Sequence, residues 1–207
     1  MDQSHIAQAA DFLWCTRIEQ RRIEALPDHL RPRTLAEGYA IQDAMVASAA
    51  QPVSGWKIAA TSKAGQAHIG VTEPLAGRLF KNFILADGAG LPAAALHMKV
   101  MEAEFAFRMA RDLSPRGPAY EQAEVCDAVA AMHLAIEVPD ARFEHFAESA
   151  RHRSSPTMPS PPGSCSAPRC VTGGGSIFPP SGFGLSRTVC CSVKGSAPMR
   201  WAIRASP

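Results

Sequence analysis

Glu102 and Glu104 stand two residues apart in the alternating stretch Met101-Glu102-Ala103-Glu104-Phe105-Ala106-Phe107. On a strand, residues i and i+2 project from one face, with Cα atoms ~6.7 Å apart. Two carboxylates so placed repel each other unless something positive lies between them. A hard divalent cation fills that role, since carboxylate oxygens are its preferred ligands. Glu137, in the apolar stretch Ala135-Ile136-Glu137-Val138, is a natural third carboxylate. Spacing alone also fits an ordinary solvated strand face. Lys57 lies between Trp56 and Ile58. Partial desolvation there would lower its pKa and suit it to proton transfer. A lysine that snorkels at a sheet edge fits the same sequence.

These residues need elements to position them. Ile6 to Leu26 reads as an amphipathic helix, punctuated by Pro27 and Pro32. Thr34-Leu35-Ala36-Glu37 is a capping box that opens a second helix running to about Ala50. Ser54 to Ala60 reads as a strand, with Trp56 and Ile58 on one face and Lys57 and Ala59 on the other. Thr61-Ser62 can cap a helical turn that ends at Gly70. Pro74, Gly77, Gly88, Gly90 and Pro92 break the following chain into loops and short strands. His97 to Ala110 is the clearest strand, with Met101, Ala103, Phe105 and Phe107 on one face. Tyr120 to about Ala131 reads as a helix, and Leu134 to Val138 as a short strand.

The 207 residues suffice for one domain with an appendage, and the composition is that of a globular protein. The net charge of +2 hides a sharp break. Residues 1–150 carry 14 basic and all 19 acidic residues, a net of −5. Residues 151–207 carry 7 basic residues and no acid, a net of +7. No secretory signal opens the chain, and no stretch reaches the ~18 apolar residues of a membrane span. Cys15 and Cys126 make no disulfide framework in the first 150 residues. The expectation is a cytoplasmic protein with no membrane and no nucleic-acid partner.

Five segments, in order, resemble the bacterial 2-oxopent-4-enoate hydratases and 4-oxalocrotonate decarboxylases. These form the hydratase/decarboxylase branch of the fumarylacetoacetate hydrolase superfamily. The segments are Tyr39-Ala40-Ile41-Gln42; Gly55-Trp56-Lys57-Ile58-Ala59-Ala60-Thr61-Ser62; Ile69-Gly70-Val71 with Glu73-Pro74 and Gly77; Met101 to Phe107 followed by Asp112-Leu113; and Ala135 to Val138 with Asp140 and Arg142. The resemblance covers residues 1–150. It implies that Glu102, Glu104 and Glu137 hold Mg²⁺ or Mn²⁺. The ion would chelate the 2-oxo and carboxylate oxygens of a small 2-oxo acid. Lys57 would then donate a proton or polarise the carbonyl, and Ser62 and Arg142 would bind substrate. The implied fold is α+β, with N-terminal helices followed by a mixed β roll. One position departs from the pattern. Such hydratases often carry an acid just after the proline matched by Pro74, and here Leu75 stands there. Decarboxylation of the 4-oxalocrotonate type therefore stays open beside hydration.

The tail from about Arg151 has neither helical nor strand period. It is rich in Ser, Pro, Gly and Cys, which predicts a disordered segment. Members of the family continue past the matched arginine into a segment resembling Ala-Asp-Asn-Ala, and later into one resembling Asn-x-Leu-Gly-x-Pro. Read from the third base of each codon, Ser155 to Pro159 can encode Ala-Asp-Asn-Ala. The same offset lets Ala197 to Ser206 encode Ala-Asn-Ala-Val-Gly-Asp-Pro-Arg-Val. A single frame change near residues 146–151 explains the missing acids, the composition and the lost periodicity together. A zinc site at Cys165, Cys170, Cys190 and Cys191 lacks paired C-x₂-C knuckles. Seven basic residues spread over the tail make no nucleic-acid patch.

Three segments are therefore expected: helical 1–50, a partial β-rich catalytic unit 51–150, and the tail 151–207, with the roll incomplete at the C-terminus. The expected activity is metal-assisted hydration of a short 2-oxo-alkenoate from aromatic-compound degradation. The family resemblance also implies a homo-oligomer, or association with a related decarboxylase or hydratase. The rival expectation is a truncated, non-catalytic fragment.

Overall fold

The computed structural model describes residues 1–144, 169–176 and 188–191. Two helices come first. Helix α1 spans Gln3–Ile18, capped by the Asp2 carboxylate, which accepts from the His5 amide. It stops eight residues short of the expected Leu26. Gln20 takes a left-handed φ of 53°, and the chain hooks back so that Ile23 bridges Phe143. Leu26 still reaches the core, by a bend rather than by another helical turn.

Helix α2 spans Leu35–Ala49 and opens with the expected capping box. The Thr34 hydroxyl accepts from the Glu37 amide at 3.2 Å, and the Glu37 carboxylate accepts from the Thr34 amide at 3.2 Å. The two helices pack through Ile6, Ala9, Ala10, Leu13, Ile41 and Met45. Trp14 closes this core edge-on against Phe80, with ring centroids 5.3 Å apart. Helix α2 is also tied to the sheet. Gln42 Nε2 donates to the Ala76 carbonyl, and the Tyr39 hydroxyl accepts from the Ala76 amide.

The strands follow. Strand β1 is Val53–Ala59, and helix α3, Lys63–Ile69, is capped by Ser62 and ended by left-handed Gly70. Strand β2 is Leu75–Phe80, and β3 is the two-residue Ile84–Leu85. Strand β4 is Glu102–Met109, later in starting than the expected His97 because Lys99 turns the chain with φ 52°. Helix α4 is only Gln122–Asp127, and β5 runs the ten residues Val129–Val138. The expected helix to Ala131 thus gives way to strand, because Val129 and Ala131 pair with Met109 and Arg108.

Two stretches of the tail are described, β6 at Arg169–Ser176 and β7 at Thr188–Cys191. Both pair with other strands of the sheet. Open strand edges template backbone pairing without requiring any side-chain period. The rest of the tail lies outside the described residues, and with it Cys165.

The sheet order is β2-β1-β7-β4-β5-β6-β3. Strand β7 runs parallel to β1 and antiparallel to β4, so it joins the two halves. The antiparallel β4–β5 ladder sets Glu102 opposite Glu137 and Glu104 opposite Ala135, which puts all three carboxylates on one face.

Candidate metal centre

Each side chain of the cluster is placed by its strand. On β1 the alternation turns Lys57 inward, leaving it 6% exposed, while Trp56 faces the other way under the Arg78 guanidinium. Glu104 is 4% and Glu137 8% exposed. Glu102 is half-buried at the start of β4. One carboxylate oxygen from each of Glu102, Glu104 and Glu137 lies within 4.8 Å of the others. The ammonium of Lys57 sits against two of the three. Its Nζ donates to Glu104 Oε1 at 2.8 Å and lies 2.7 Å from Glu137 Oε2.

The charge balance is uneven. Burial pushes the Glu137 carboxyl up to about 7, against the pull of the Lys57 ammonium and with further push from Glu104 and Glu102. For Lys57, burial is the largest single influence and acts downward. The facing carboxylates of Glu137 and Glu104 together outweigh it, so the pKa lies above its ordinary value. The expected downward shift is therefore reversed. Desolvation is legible from Trp56 and Ile58, but the carboxylates opposite come from strands distant in sequence.

Glu104 Oε2 is buried and has no hydrogen-bond partner among the described residues. An orphaned oxygen of a buried carboxylate is costly. It is also what a carboxylate able to ligate a cation presents. Three carboxylates offer the hard oxygen ligands that Mg²⁺, Mn²⁺ and Ca²⁺ take, so the residues fit a divalent ion.

Of the six residues singled out from sequence, Lys57, Glu102, Glu104 and Glu137 come together. Ser62 caps α3, its hydroxyl accepting from the Gly65 amide at 3.0 Å. Arg142 pairs with Asp140, and its Nε and Nη1 have no hydrogen-bond partner among the described residues. The residue that sequence reasoning left without a role is Asp140. Its Oδ1 accepts from the His97 and Met98 amides at 2.7 and 3.0 Å, fixing the turn that leads into β4. Its place in the matched segment with Arg142 was the available signal. Leu75 is buried in β2 opposite Ala59.

A mixed α/β chain with three carboxylates and a lysine on one sheet face belongs to the class of acidic, cation-fitting sites. Comparisons with known proteins narrow the class. No protein-family model matches the chain. The chain is 32% identical over 139 residues to the 2-keto-4-pentenoate hydratase of Paraburkholderia xenovorans, covering 66% of this chain and 51% of that protein. It is 33% identical over 148 residues to the hydratase of that name from Burkholderia vietnamiensis, covering 70% and 56%. A 2-oxo-hept-4-ene-1,7-dioate hydratase of Escherichia coli is 30% identical over 131 residues. The chain thus spans about half the length of the curated relatives it matches. Among solved structures, the 4-oxalocrotonate decarboxylase of Pseudomonas putida G7, complexed with magnesium and adipate, superposes with a TM-score of 0.67 at 21% identity. The match covers 85% of this chain and 65% of that one. A second structure of that decarboxylase holds calcium and acetate. The matched part of this chain is thus similar in sequence to 2-keto-4-pentenoate hydratases and in fold to a 4-oxalocrotonate decarboxylase.

Among the described residues no helix is long and apolar enough to cross a membrane.

Proposed function

We propose that the chain carries the site of a metal-dependent hydratase acting on a short 2-oxo-alkenoate of the 2-hydroxypenta-2,4-dienoate type. The observation that carries this reading is the buried cluster of Glu102, Glu104 and Glu137 with its orphaned Glu104 Oε2. Those three residues would hold Mg²⁺ or Mn²⁺. The ion would supply Lewis-acid polarisation of the 2-oxo acid, making C4 of the conjugated form electrophilic toward water. Lys57, on the same sheet face, holds the proton that moves at the substrate carbon next to the carbonyl. Arg142, whose Nε and Nη1 have no hydrogen-bond partner among the described residues, would supply positive charge to the substrate carboxylate. Ser62 keeps a hydroxyl hydrogen to donate while its oxygen caps α3.

Decarboxylation of a 4-oxalocrotonate-type acid is the second reading. Leu75 favours it, since an apolar, buried side chain stands where hydratases of this branch often place an acid. The same electron sink would accept the pair left by departing CO₂. Assembly as a homo-oligomer, or with a related hydratase or decarboxylase, is part of the proposal. Leu134 and Ile136 support it, exposed on the sheet face away from the carboxylates.

The test is calorimetric titration of Mn²⁺ into the full chain and into Glu104→Ala, followed by substrate assays. Saturable binding in the parent and none in the variant is expected. Consumption of the dienoate without CO₂ release then selects hydration. Absence of binding by the parent removes the reading.

A further inference from the structure

Strand β1 runs parallel to β7, and β7 runs antiparallel to β4, so the carboxyl end of β1 lies where β4 begins with Glu102. Strand β2 begins at the same end, with Leu75 opposite Ala59. The segment that leaves β1 there, Ala60 to Ser62, is held in a conformation its sequence does not favour. Ala60 takes a left-handed φ of 55°, which is unfavourable for any residue with a Cβ. Such strain persists only where the surroundings over-determine it. Gln66 of α3, 6% exposed, makes the main tie. Its Nε2 donates to the Ala60 carbonyl at 3.1 Å, and its Oε1 accepts from Lys63 Nζ at 3.1 Å. An ammonium can only donate, so the Lys63 contact fixes which end of the amide faces Ala60. Gly65 completes the fit, because a Cβ there would come within 3.2 Å of the Ser62 hydroxyl and 3.5 Å of the Ala60 Cα.

We propose that Gln66 is a positioning residue for substrate binding: through the Ala60 carbonyl it sets Thr61-Ser62 as a fixed wall at the Glu102 end of the carboxylate face. This rests on the proposed metal site for a 2-oxo acid and deepens it. Gln66 itself is buried and spends its amide on Ala60 and Lys63. It acts through Ser62, whose hydroxyl oxygen is engaged by the Gly65 amide at 3.0 Å and whose hydroxyl hydrogen stays available to an oxygen of the substrate. Without the Gln66 donor, the Ala60 carbonyl loses its tie and nothing offsets the left-handed backbone. Ala60 then relaxes to an ordinary φ, and the chain beyond it carries Ser62 out of place. The carboxylates of Glu102, Glu104 and Glu137 stand on the β4–β5 ladder, which makes no use of this turn. The consequence is selective. Substrate affinity falls while metal affinity holds.

The probe is 2-oxopentanoate, a saturated 2-oxo acid with no double bond to hydrate, titrated calorimetrically into the Mn²⁺-saturated full chain. Gln66→Met keeps the side-chain length and removes the donor. Its Mn²⁺ affinity is expected to stay within about twofold of the parent, while its 2-oxopentanoate affinity falls at least about tenfold. Adding Ala60→Gly to Gln66→Met is expected to recover about threefold or more, because glycine holds a left-handed φ without a clamp. A purely structural service of Gln66 to α3 predicts no such recovery. Parent-like 2-oxopentanoate binding by Gln66→Met, joint loss of Mn²⁺ and 2-oxopentanoate, or no recovery with glycine each overturns the positioning role while the parent's metal site stands. A parent that binds Mn²⁺ but not 2-oxopentanoate overturns the substrate class and this inference together. A parent that binds no Mn²⁺ overturns the metal site as well. Should Gln66→Met not fold, the parent answers alone through the amide resonance of Ser62 in the Mg²⁺-saturated chain. That resonance is expected to shift on addition of 2-oxopentanoate, and an unmoved resonance at saturation overturns the proposal.

Discussion

At the scale of single residues, Asp140 illustrates how one buried carboxylate serves several partners. It accepts from the His97 and Met98 amides and pairs with Arg142. Asp140→Ala would leave two amides and a largely buried guanidinium unsatisfied. It is expected to cost about 3–5 kcal/mol in urea denaturation, the range for breaking a buried pair from one side. A loss under 1 kcal/mol would mean that water replaces the carboxylate. The carboxylate cluster was legible in the sequence because period-2 alternation is a strict geometric rule, so Glu102 and Glu104 had to share a face. Two things were not legible. The sign of the Lys57 shift depends on Glu104 and Glu137, which are 47 and 80 positions away along the chain. The service of Asp140 to residues 97 and 98 is a loop contact that leaves no periodic trace.

At the scale of elements, local signals placed starts better than ends. Thr34 and Glu37 announced α2, and Ser62 and Gly70 announced α3, because caps are satisfied by neighbours in sequence. Thr34→Ala is expected to lower stability by about 0.5–2 kcal/mol, read as a shift of the thermal midpoint at constant cooperativity. No shift would mean that Glu37 alone holds the helix start. The lengths of α1, α4 and β5 were misjudged for a common reason. Ile23 and Leu26 continue a helical period but are buried by a hook, and Val129 to Ala131 continue a helix-compatible run but are captured by β4. Tertiary pairing overrides propensity in both cases.

At the scale of the whole molecule, the composition break near residue 150 remains the most informative feature of the sequence. Residues 169–176 and 188–191 join the sheet through backbone pairing, although the 57 residues that contain them hold no acid. Restoring the alternative frame from residue 151 is expected to raise soluble yield and Mn²⁺ binding together. Resequencing that finds an intact frame, with no nearby base discrepancy among natural copies, would sink the frame change. Deleting residues 151–207 is expected to abolish Mn²⁺ binding even though every proposed ligand remains, because β1 and β4 lose the strand between them. Retained binding would show that the two halves close without β7. A non-catalytic fragment that joins an intact relative is the outcome to weigh if neither version binds metal.

The position of β7 also sets a timetable. Lys57 and its carboxylate partners are all synthesised by residue 137, yet the strand that seats β1 beside β4 is complete only at residue 191. During translation the two halves wait with open edges for more than fifty residues, a long-range closure of the kind that folds slowly and invites wrong pairings. The pairing of Lys57 with the carboxylates is therefore expected to wait for residues 188–191, while the three carboxylates already share the β4–β5 ladder.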